Sequence, residues 1–156
     1  MIQKEFKSQI CTTREQSQRL LGMRLKPETA DMVYCFTESY YESAQWTLML
    51  EPPAIFNRFG TISKEEFDKL FGKDMPAWSL SRLLEMLPNE VQDTRGFGGS
   101  HHPELIKHSS GYVLSIRRHT ANCLVGTHIE ETPIECCISM IEWLIKHNHF
   151  NKDFLV

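Results

Sequence analysis

What this chain lacks narrows its chemistry first. No apolar run approaches the roughly 20 residues a helix needs to cross a bilayer, so no membrane partner is expected. The opening stretch MIQKEFKSQICTTREQ has no apolar core followed by small residues, so a secretory leader is not expected either. The 5 cysteines, Cys11, Cys35, Cys123, Cys136 and Cys137, are odd in number, hold one adjacent pair and follow no regular spacing. That is no disulfide framework; it fits reduced thiols in a bacterial-type cytoplasm. There is no C-x-x-C and no pair of histidines at helical spacing for zinc. GFGGS, at 96–100, lacks the trailing glycine of a dinucleotide site and the Lys-Ser/Thr of a phosphate loop. Charge of one sign is scarce as well. Seventeen Lys+Arg against 20 Asp+Glu leave a net charge of −3, which excludes a whole-surface electrostatic reader of nucleic acid but not a local basic patch.

What is present reads as one ordinary domain. With 156 residues, 41% of them hydrophobic and 24% charged, the chain is long enough to bury a core without staples. TTREQSQRLLGM, from Thr12, predicts a first helix, with Thr12 and Glu15 in the capping-box relation and Gly22 near the stop. LKPETADMVYCF predicts a second, opened by Pro27, with Ala30, Val33 and Tyr34 at i, i+3 and i+4. The stretch 37–60 gives no clear pattern, and Pro52-Pro53 ends whatever precedes it. In TISKEEFDKLFG, Ser63 and Glu66 cap a helix bearing Phe67, Leu70 and Phe71. In DMPAWSLSRLLEMLP, Asp74 is the expected cap and Pro76 a first-turn residue; Leu80, Leu83, Leu84 and Leu87 form the stripe, and Pro88 ends it.

Residues 95–111, rich in Gly, Ser and His, read as a mobile loop. YVLSIRRHTANCLVGTHI then alternates as a β-hairpin, with HTAN at its turn. TPIECCISMIEWLIKHNHF is the strongest helix signal: Thr132 caps, Pro133 starts, Glu135 closes the box, and Ile134, Cys137, Ile138, Ile141, Leu144 and Ile145 face the core. The expected fold is α+β, a single domain over 1–156, with several short helices, a small antiparallel sheet and a C-terminal helix covering it.

Three blocks, TTREQSQRLLGMRLKPETADMVY, MPAWSLSRLLEMLP and MIEWLIKHNHFNKDFL, cover about a third of the chain. They resemble a family of small gut-bacterial proteins, of unassigned activity, often encoded near prophage or mobile-element genes. The resemblance implies a cytoplasmic accessory protein of a bacterial mobile element. It carries no catalytic residue or cofactor to transfer.

Candidate chemistry follows residue by residue. His101, His102 and His108 in the loop and His119 and His128 by the hairpin are the material for a metal site, but surface histidines explain the pattern as well. Cys136 and Cys137 sit at a helix start, where a thiol is activated; yet Cys137 falls on the apolar stripe with Cys136 on its flank, which makes both structural. The carboxylates Glu65, Glu66, Glu130, Glu131 and Glu135 sit where caps and solvated helix faces want them. Arg14, Arg19, Arg24 and Lys26 lie in a segment, 12–34, with helix–turn–helix proportions, a candidate nucleic-acid contact opposed by the acidic start of its second helix. Of the tryptophans, Trp143 closes the rim of the core. Trp78, ahead of a leucine stripe, reads first as a structural anchor and second, with Trp46, as an interface residue. The sequence therefore points to a non-catalytic protein, with no cofactor, that binds another protein. A nucleic-acid regulator built on 12–34 is the alternative, and a metal-dependent enzyme on the histidine-rich loop stands third.

Overall fold

The N-terminal helix α1 (Arg14–Gly22) begins one residue later than the sequence pattern suggests. Its cap is Thr13, whose hydroxyl accepts from the Gln16 N–H while the Gln16 side chain returns to the Thr13 N–H. Thr12 is engaged elsewhere: its hydroxyl bonds Ser17 at 2.8 Å and accepts the Trp78 N–H at 3.0 Å. The computed structural model describes residues 9–37, 45–49, 74–93, 99–118 and 122–156. After α1 come a 3₁₀ turn (Pro27–Thr29), β1 (Met32–Thr37), β2 (Gln45–Met49), β3 (Met75–Ala77), α2 (Leu80–Met86), β4 (Val91–Asp93), β5 (Gly99–His108), β6 (Gly111–Arg118), β7 (Asn122–Gly126), α3 (Pro133–Lys146) and a 3₁₀ turn (Lys152–Phe154). Two antiparallel sheets result, one ordered β2-β1-β3 and one β4-β5-β6-β7. The class is α+β, with three α-helices among the described residues.

Three expectations give way to pairing. The second helix predicted over 25–36 is a single 3₁₀ turn followed by β1, the middle strand of its sheet, paired to β2 and β3. The run Met-Val-Tyr-Cys-Phe-Thr satisfies a helical stripe on paper, but β-branched and aromatic side chains fit a strand paired on both edges. Asp74 does not cap a helix either: it accepts the Phe36 N–H at 3.0 Å, and Met75–Ala77 is, among the described residues, an edge strand, where Pro76 is tolerated. Ser79 is the real cap of α2, accepting from the Arg82 N–H. Within α2, Leu83 and Met86 are buried while Leu84 faces out.

The predicted loop at 95–111 holds, from residue 99, a ten-residue strand closed by a two-residue Ser109-Ser110 turn. Its register with β6 runs from His102↔Arg117 to His108↔Gly111. Pro103 fits because the short β4 pairs only with Gly99 to His101, so the missing N–H removes no bond on that side. Residues 94–98 and the helix predicted over 61–72 lie outside the described residues, as does the turn at 119–121.

The hairpin β6–β7 and α3 form as expected. β6 and β7 pair antiparallel with a register shift between Ile116 and Arg117. Thr132 caps α3, accepting the Glu135 N–H at 3.1 Å, and Pro133 takes the first turn. Ile134, Cys136, Cys137, Ile138, Met140, Ile141 and Leu144 are buried, and α3 packs against β6 through Leu114 and Ile116 in the same core. Each fully buried Ile or Leu there contributes about 1.5–3 kcal/mol.

Candidate functional site

Trp78 is wholly buried, which removes it from any interface. It sits at a polar junction. Its backbone C=O accepts from Thr12 N–H at 2.9 Å, and its indole N–H donates to the Thr29 hydroxyl at 3.0 Å. The Thr29 carbonyl accepts from Arg82 Nε at 2.7 Å, and Asp31 accepts from both the Ser79 N–H and hydroxyl. Three chain segments, at residues 12, 29–31 and 78–82, meet around this residue. Trp46, the other expected interface residue, lies on β2 opposite Phe36.

The four basic residues do not form a nucleic-acid surface of the expected kind, because the helix that would enter a groove is absent. Arg14 opens α1 and is exposed. Arg19 is bound to Glu135 and Glu142 of α3, the second at 3.1 Å. Arg24 takes a left-handed φ of 71° where the chain leaves α1. Lys26 Nζ donates to the Asp153 carbonyl at 2.9 Å, beside a backbone bond from Lys26 to Phe154. Arg19 thus ties α1 to α3, and Lys26 ties the segment after it to the C-terminal turn.

The histidines are dispersed. His101 is buried on β5, its Nδ1 against the Gly99 carbonyl at 3.1 Å; His102 Nδ1 lies 2.9 Å from the Asn89 carbonyl; His108 and His128 are exposed. His119 lies outside the described residues. Among the described residues no three His, Cys, Asp or Glu side chains come together as metal ligands. All five cysteines are free thiols. Cys136 is fully buried rather than on the flank, donating to the Tyr112 carbonyl at 3.3 Å. Burial pushes the thiols of Cys11 and Cys136 up, and that of Cys137 from 9.0 to about 12. None of these three is poised as a thiolate nucleophile.

One concave feature has the makings of a binding site. Beyond β7 the chain continues along β6: Thr127 donates its N–H to the Leu114 carbonyl, and Glu130 exchanges both backbone bonds with Tyr112 at 2.8 and 2.9 Å. Gly111 permits this approach, since a Cβ there would stand 2.3 Å from the Glu130 carbonyl oxygen. Between this strand and α3 runs a groove of about 160 Å³. Val125, Gly126, Thr127, His128 and Glu130 line one wall, and Ser139, Met140 and Trp143 the other. Trp143 is held by stacking on His147 and His149, with ring centroids 4.3 and 5.7 Å away. The groove is smaller than the roughly 300–1,000 Å³ of sites that enclose a drug-sized ligand, so it fits one side chain rather than a cofactor. Sequence reasoning placed Trp143 at the core rim but missed this site. Its two walls lie 9 or more residues apart and meet only through the packing of α3 on the sheet.

The β7 edge adds a second property. β7 ends its sheet, and among the described residues no strand pairs with its outer side. The fold and site thus define an α+β protein with an apolar groove running beside a strand edge that no described strand covers. Compared with family models, curated proteins and solved structures, the chain matches none.

Proposed function

We propose that this chain is a non-catalytic binding protein that takes up an extended segment of another protein along β7. The observation that carries this reading is the groove between the β7 edge and α3. A strand edge gives affinity through main-chain hydrogen bonds, and a neighbouring groove gives selectivity for alternate side chains. The buried thiols and the satisfied polar junction at Trp78 are in keeping with structural rather than chemical roles. The sequence resemblance favours an accessory protein of a bacterial mobile element acting in the cytoplasm. The nucleic-acid alternative is weakened by the absent recognition helix and by the acidic partners of Arg19.

A test is selection from a displayed library of random peptides. Ser139, half-buried at the rim, is replaced to fill the groove without touching the core (Ser139→Tyr). The expected outcome is peptides that bind the native chain and lose at least tenfold in affinity for the variant, with melting temperature unchanged. Equal binding to both proteins, or no enriched peptide, overturns the reading.

A further inference from the structure

We infer that the segment taken up by the groove carries a basic side chain, lysine or arginine, at the position beside Glu130; this rests on the binding reading above. The charge pattern around α3 supplies the argument. Glu135 and Glu142, on the same helix, are already satisfied by Arg19, and Glu135 also accepts from the Gln16 amide at 2.7 Å. Glu130 differs. It is the one carboxylate in the groove lining, and among the described residues its side chain has no ion pair or hydrogen bond. Its backbone is fixed at both N–H and C=O by Tyr112, so the residue keeps its place in the wall of the groove, beside the apolar lining.

That lining suits an alkyl stem. Val125, Met140 and Trp143 are the apolar lining, and the two stacked imidazoles brace the indole. Lysine and arginine lay such stems along apolar surface and keep the charged head in a wetter place. Here the head would meet the Glu130 carboxylate, with exposed Glu131 beside it in sequence adding charge of the same sign. An acidic side chain in that position would face an unpaired carboxylate, and an aliphatic one would leave it to water. In a strand added along β7, side chains alternate between the two faces, so one basic residue flanked at i±2 by small residues fills the site.

The test uses three fluorescently labelled nine-residue peptides of serine and threonine, with lysine, norleucine or glutamate at the centre. Anisotropy is measured against the whole chain at about pH 8, where histidine side chains are ordinarily neutral. The lysine peptide is expected to bind about two- to fivefold tighter than the norleucine peptide, within the span of an exposed ion pair. The glutamate peptide is expected to be weakest, and Glu130→Gln to erase the order. Equal binding of all three peptides, lost in Ser139→Tyr, overturns the charge preference and leaves the groove reading standing. No binding, or binding that Ser139→Tyr does not touch, overturns both.

Discussion

Single side chains in this protein are decided by their neighbours rather than by their type. Trp78, ahead of a leucine stripe, reads in the sequence first as a structural anchor, and its surroundings make it one: apolar ring in the core, indole N–H on Thr29, backbone on Thr12. Thr29 is 49 residues away, so no local pattern could have paired them. Truncation by Trp78→Ala should cost roughly 3–5 kcal/mol, the range for buried aromatics, read as a shift in the denaturant midpoint. A loss below about 1 kcal/mol would deny it that role. The buried thiols make a second prediction. The folded-state value of Cys137 lies above its unfolded one, so the stability it contributes is present below pH 9.0 and is lost as pH rises toward about 12. Cys136 shifts in the same direction. The melting temperature should therefore fall through that alkaline window, and Cys137→Ala should flatten the fall. An unchanged slope in the variant would place the titration elsewhere.

At the scale of elements, the legible parts are those with local signals. α3 carries its cap, its first-turn proline and its apolar face within 15 residues, from Thr132 to Lys146, and it forms where the sequence predicts it. The β6–β7 hairpin alternates and is found. The illegible parts are strands whose partners are distant. β1 imitates a helical stripe because Ala30, Val33 and Tyr34 also satisfy i, i+3 and i+4 spacing; its pairing with residues 45–49 and 75–77 decides otherwise. β5 has the composition of a loop, and only its long register with β6 makes it a strand. Amide exchange separates these accounts directly. Residues between His102 and Lys107 that bond to β6 should exchange as slowly as β6 itself, whereas a mobile loop would exchange within the dead time.

For the whole molecule, the site arises from a joint. α3 lies against β6, the chain after β7 runs back along β6, and the space left between them is the groove. Gln16 and Arg19 of α1 hold α3 from one side through Glu135 and Glu142, while Trp143 and Met140 look into the groove on another. Of the candidate residues drawn from sequence, Arg19 pairs with α3 and Lys26 with the C-terminal turn. The residues that line the groove, Val125, Glu130, Ser139 and Trp143 among them, have no motif between them, and each alone reads as an ordinary surface or rim residue. Their meaning comes from the packing.

The central claim is that a partner segment adds to the β7 edge, and its most direct test is residue-resolved amide exchange of the whole chain with and without a peptide selected by display. Strand addition predicts that amides within Asn122–Gly126 slow by at least about tenfold on binding, the change that one protected hydrogen bond of roughly 1.4 kcal/mol would give, and that Ser139→Tyr abolishes the effect. Slowing confined to other segments, with β7 unchanged, would contradict it.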